Sequence, residues 1–107
     1  MAATGSRFSA KVVLISGAAR GMGRAHALAF AREGAHLALC DACHQYETVP
    51  YPLPQPQELA TLVGEIEGMG GKVIAEQADV THLNEMQAFA EHTQRELGPI
   101  DIVVANA

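Results

Sequence analysis

The sequence predicts an α/β fold, a parallel sheet with helices on both faces. Three observations carry this. Short apolar runs alternate with helix-patterned segments in the order β-α-β-α-β-α-β. Hydrophobic residues make up 49% of the 107 residues and charged ones 18%, the balance of a globular core with two covered faces. A glycine-rich turn, Gly17 to Gly23, separates the first strand from the first helix.

Lys11-Val12-Val13-Leu14-Ile15 is a β-branched run with no polar alternation, as expected of a strand buried on both faces. Met22 to Glu33 is alanine-rich and has no proline, and its only glycine is Gly23, so it reads as a helix stopped by Gly34. His36-Leu37-Ala38-Leu39-Cys40 is the second strand, ending at Asp41. A crossover helix between strands this close implies a parallel pair. Residues 42 to 56 carry Pro50, Pro52, Pro54 and Pro56 beside Tyr46 and Tyr51. Alternating prolines cannot donate a ladder, so this segment reads as an extended insertion, long for a connection of this kind. Two readings stay open for it: a solvated loop, or a lid near a ligand at the carboxyl edge of the sheet.

From Gln57 to Gly68 the pattern is helical, with Leu59, Leu62, Val63, Ile66 and then Met69 as the apolar stripe and Glu58, Glu65 and Glu67 elsewhere. Lys72 to Gln77 is the third strand, followed by Ala78-Asp79-Val80. Thr81 is placed to cap the next helix, whose expected buried face is Leu83, Met86, Phe89, Ala90 and Leu97. Gly98-Pro99 stops it, and Ile100 to Ala105 is the fourth strand. The whole chain reads as the N-terminal part of one domain.

The formal net charge is −5, and the seven basic residues are scattered. This argues against nucleic acid and against anionic membranes as partners. No apolar run resembles a signal peptide or a membrane span, and the expected location is cytoplasmic. Cys40 and Cys43 are then expected as free thiols, Cys40 as core packing. A structural zinc site needs four ligands, and no second Cys pair follows them. No metal site is expected. The dispersed His26, His82 and His92 read as surface or ordinary packing.

The chemistry lies in Gly17-Ala18-Ala19-Arg20-Gly21-Met22-Gly23. Gly17 allows a tight turn, Gly21 lets backbone approach a diphosphate, and Gly23 lets the helix lie close to the strand. The helix N-terminus offers free N–H groups and partial positive charge to an anion. Asp41, at the end of the second strand, can accept hydrogen bonds from ribose hydroxyls and would repel a 2′-phosphate, which favours NAD over NADP. Arg20 either meets the diphosphate or solvent, or pairs with a 2′-phosphate. Together these features predict a partial Rossmann fold, the cofactor-binding half of a dinucleotide-dependent oxidoreductase.

The spacing G-x-x-x-G-x-G resembles that of the short-chain dehydrogenase/reductase family. Asp79-Val80-Thr81 is similar to the family's adenine-pocket element. Gly98-Pro99-Ile100-Asp101-Ile102-Val103-Val104 resembles the run into its fourth strand, and Asn106-Ala107 the start of its Asn-Ala-Gly element. The resemblance covers about residues 8–107. It implies a doubly wound sheet of order 3-2-1-4, with the third helix alone on one face. It also implies cofactor contacts from Gly17, Arg20, Gly21, Met22 and Gly23 in the loop and from Asp41 and Ala42 after the second strand. Asp79, Val80, Asn106 and Ala107 would complete them.

A narrower resemblance rests on Gly17 to His26, on Asp41-Ala42-Cys43 and on Thr48-Val49-Pro50-Tyr51-Pro52-Leu53. These are similar to the mycofactocin-associated, carveol-dehydrogenase-like branch. That implies bacterial enzymes oxidising apolar secondary alcohols, or reducing the ketones, with tightly held NAD, and a homo-oligomer when complete. Family catalysis uses Ser, Tyr-x-x-x-Lys and a further Asn. No Tyr-x-x-x-Lys occurs here, the only lysines are Lys11 and Lys72, and Asn106 belongs to the Asn-Ala-Gly element. No residue is therefore assigned as catalytic, and the chain by itself is expected to be inactive. A non-catalytic nucleotide-binding module is the alternative. S-adenosylmethionine or sugar-nucleotide chemistry fits the Asp79 and Asn106 elements less well. With the fourth strand an open apolar edge, the isolated chain is expected to be marginally stable and to associate.

Overall fold

The computed structural model describes residues 7–19, 21–42 and 56–106. Its order is β1 (Val12–Ser16), α1 (Gly21–Arg32), β2 (His36–Asp41), α2 (Pro56–Glu67), β3 (Val73–Gln77), α3 (Leu83–Leu97) and β4 (Ile102–Ala105). The element ends fall within two residues of those expected. Most of the proline-rich insertion, residues 43–55, lies outside the described residues, as do Arg20 and Ala107.

Apolar β-branched residues at β1 make it the central strand, buried along its whole length. β2 pairs parallel on one side, with Leu14 opposite Ala38, and β4 on the other, with Leu14 opposite Val103. β3 adds outside β2, and the order is β3-β2-β1-β4. Alternation along the strands divides the core. Val13, Ile15, Leu37 and Leu39 face α1 and α2, meeting Ala27, Ala31, Leu62 and Ile66. Leu14, Ala38 and Cys40 face the other way, onto Phe89 of α3. The third helix thus covers its face alone, as expected.

Two expectations need correction. Thr81 does not cap α3; His82 occupies the N-cap position and makes no side-chain cap bond. Thr81 turns back instead, donating from its N–H (2.9 Å) and its hydroxyl (2.7 Å) to Asp79 Oδ1. Leu83 is not part of the buried face but is 68% exposed, because the first turn of α3 lies at the carboxyl edge, where the strands have ended. Thr93 takes a place in the core, its hydroxyl satisfied by the Phe89 carbonyl at 2.8 Å.

Asp101 closes the amino end of β1. Its carboxylate accepts the Val12 N–H at 2.9 Å while its own N–H donates to the Val12 carbonyl at 2.9 Å. Because all four strands are parallel, Ser16, Asp41, Gln77 and Ala105 end at one edge, and the segments following them meet there.

Candidate functional site at the carboxyl edge

The glycine loop leaves β1 and turns into α1. Gly17 (φ +65°) and Gly21 (φ +66°) sit in the left-handed region that L side chains rarely adopt. A Cβ on Gly21 would meet nothing within 4 Å, so its flank is open. Gly23 is constrained differently: a Cβ there would stand 2.0 Å from the Gly17 carbonyl oxygen and 2.9 Å from Asn106 Nδ2. Close approach of α1 to the strand end therefore requires glycine at Gly23. Met22, beside it at the helix start, is 68% exposed.

Hydrogen bonds tie this loop to the neighbouring strand ends. Ala18 N–H donates to the Cys40 carbonyl at 3.2 Å, and Ala19 N–H to Asp41 Oδ2 at 3.1 Å. Asp41 is buried, 9% exposed, so its carboxylate faces the loop and not bulk water. Further along the edge, Ala78 N–H donates to the Asp41 carbonyl at 2.9 Å, and the Gln77 amide to the Ala42 carbonyl at 2.9 Å. On the far side Asn106 N–H donates to Ser16 Oγ at 3.2 Å, and its side-chain amide to the Gly17 carbonyl at 3.3 Å. The edge thus gathers Gly17, Gly21, Met22, Gly23, Asp41, Ala42, Asp79, Val80 and Asn106.

Beyond β3, Asp79 is buried and Val80 is 43% exposed, an apolar side chain at the mouth of the edge. Asp79 N–H donates to Glu85 Oε1 at 3.3 Å, and His82 Nδ1 lies 2.5 Å from Glu85 Oε2. The hydrogen bond to Glu85 raises the His82 pKa, with the charges of Asp79 and Glu85 adding to it. Sequence reading passed over this pair; the spacing His82-x-x-Glu85 at a helix start was the available signal. His92 also pairs, with Glu76 across the α3–β3 contact. No local spacing announces that pair.

Cys40 is fully buried beneath the edge, and burial, then the charges of Asp41 and Glu76, push its thiol up to about 12. It is core packing, as expected. No group of three or more metal-ligating side chains is present among the described residues. No helix among them is long and apolar enough to cross a membrane.

A parallel 3-2-1-4 sheet with a glycine loop at its central strand defines a Rossmann-type α/β protein. Residues 11–107 match the short chain dehydrogenase family. The chain belongs to that family. It is 44% identical over 97 residues to an uncharacterized oxidoreductase of Mycobacterium tuberculosis, covering 91% of this chain and 36% of that protein. It is 40% identical to (-)-trans-carveol dehydrogenase of Rhodococcus erythropolis over 95% of this chain and 37% of the enzyme. Among solved structures, carveol dehydrogenase from Mycobacterium avium in complex with NAD superposes with TM-score 0.93 at 36% identity, covering 95% of this chain and 37% of that one. The chain therefore spans little more than a third of the length of these relatives.

Proposed function

We propose that this chain is the N-terminal, NAD-binding part of an oxidoreductase acting on a secondary alcohol or its ketone. The observation that carries the reading is Asp41. Its buried carboxylate ends β2 beside the glycine loop, where a ribose diol would lie. The residues present fit a dinucleotide. Gly21 leaves its flank open for a diphosphate, the α1 N-terminus supplies N–H donors, and half-exposed Val80 offers an apolar surface to a base. Met22 and Ala42 border the same space, and Asn106 holds the Gly17 carbonyl in place. Arg20 and Ala107 belong to this set on the sequence resemblance alone. NAD, when bound, supplies the hydride acceptor and donor.

The NAD-bound carveol dehydrogenase superposition and the identity to trans-carveol dehydrogenase support both cofactor and substrate class. A negative carboxylate beside the adenosine ribose disfavours a 2′-phosphate, so NAD is favoured over NADP. Calorimetric titration with each dinucleotide tests this. Expected is saturable NAD binding, with NADP weaker by about tenfold or more and Asp41→Asn narrowing the gap. Equal affinity for both would overturn the assignment.

A further inference from the structure

The segment from Asp79 to Glu85 is bonded to itself more fully than a helix entry needs. Asp79 Oδ1 accepts both the N–H and the hydroxyl of Thr81, at 2.9 and 2.7 Å. His82 N–H donates to the Asp79 carbonyl at 2.9 Å, and Glu85 N–H to the His82 carbonyl at 3.1 Å. Glu85 then uses both oxygens. Oε1 accepts the Asp79 N–H at 3.3 Å, and Oε2 holds the His82 ring. A third-position glutamate ordinarily reaches back to the N-cap N–H. Here the N-cap is His82, and Glu85 reaches past its backbone to Asp79, on the strand side of the turn.

We propose that Glu85 is a positioning residue for the nucleotide-base end of the site, holding the Asp79–Val80 turn in shape only while His82 fixes its carboxylate. This rests on the NAD reading above. Two oxygens on two partners leave Glu85 a single orientation. Releasing His82 frees the carboxylate to rotate and to leave the Asp79 N–H. The Asp79 N–H then loses this bond, and the turn that would meet a base is left with its bonds to Thr81 and the His82 N–H and, through Ala78, to Asp41. Among the described residues, the charged groups acting on His82 are Glu85 on its own helix and Asp79 at the end of β3. Both favour its protonated form, so the clamp is tightest at lower pH and weakens, from a charged pair to a neutral Nδ1–H bond, as pH rises through the elevated His82 value.

The test is calorimetric titration of the chain with NAD, AMP and nicotinamide mononucleotide between about pH 5.5 and 8.5, the range over which a histidine titrates. Wild type is expected to bind NAD and AMP more weakly as pH rises. Glu85→Ala weakens both about fivefold, the loss of one hydrogen-bonded orientation. Glu85→Gln keeps an oxygen for the Asp79 N–H but loses the pair, and His82→Gln removes the titrating group. Both of these variants give flat pH profiles for NAD, whereas AMP keeps only the slope of its own phosphate, which titrates at about pH 6. Thermal melts separate an unfolded variant from a folded one with weakened binding. A wild-type affinity that ignores pH, together with unchanged binding in Glu85→Ala, overturns the proposal and leaves the NAD reading standing. If wild type binds neither NAD nor AMP, the NAD reading falls and this proposal falls with it.

Discussion

At the scale of single residues, the carboxyl edge is built from positions that tolerate little change. Gly23 touches backbone where a methyl would go. Gly23→Ala is expected to lower stability by about 1–3 kcal/mol through overpacking, and to reduce NAD binding further because the glycine loop must shift. Paired melts and titrations read the two effects. Asp41→Ala removes the acceptor of the Ala19 N–H, at a cost of about 1–3 kcal/mol for a buried donor, whereas Asp41→Asn keeps an oxygen there and costs less.

Cys40 adds a pH signature. Its thiol is raised from 9.0 to about 12, so the unfolded chain ionises first. The native state has its full stability below pH ~9 and loses it as pH rises toward ~12. In Cys43→Ser, the Cys40 thiol should ignore a disulfide reagent until denaturant is added. Reaction in the folded protein would contradict its burial.

What was legible in the sequence is local chain geometry: the turn at Gly17, the close approach at Gly23 and the place of Asp41 at the end of β2, each fixed by its position after a strand or before a helix. The histidine pairs were not. His92 finds Glu76 only when α3 crosses the sheet, and Glu85 serves two partners that lie on either side of a turn.

At the scale of elements, periodicity located every strand and helix among the described residues, and the faces followed. Leu59, Leu62 and Ile66 are buried as the α2 stripe requires. The period did not show where a helix overhangs the sheet, so it puts Leu83 inside although it is exposed. Asp101 illustrates an end effect that periodicity cannot encode: it satisfies the first N–H of β1 from a point 89 residues away. Asp101→Ala is expected to destabilise the chain by about 1–3 kcal/mol. The exposed Arg24–Glu65 pair linking α1 to α2, at 2.5 Å, contributes about 1 kcal/mol or less. Chemical denaturation of Asp101→Ala and Arg24→Ala should rank them in that order.

At the scale of the molecule, the family resemblance anticipated the order of strands. The order could not be obtained from alternation alone, because right-handed crossovers allow β4 to lie beside either β1 or β3. The result leaves β4 at an edge, with Val103 62% exposed. An exposed apolar edge, even one of four residues, invites pairing with another chain. The 107-residue chain is expected to melt with a midpoint that depends on concentration, and Val103→Lys to weaken that dependence. A reversible, concentration-independent melt of a monomer would contradict this.

The two bonds from Asn106 to Ser16 and Gly17 span 90 and 89 residues. During synthesis the glycine loop emerges early, and the amide that secures it emerges among the last of these residues. The connection that leads to Asn106 must also cross one face of the sheet, as α3, to carry the chain from β3 to the far side of β1. The glycine loop at the carboxyl edge is therefore secured by neither of these bonds in a nascent chain that stops short of β4, and if it takes a cofactor as proposed, capture is expected to follow translation of the fourth strand.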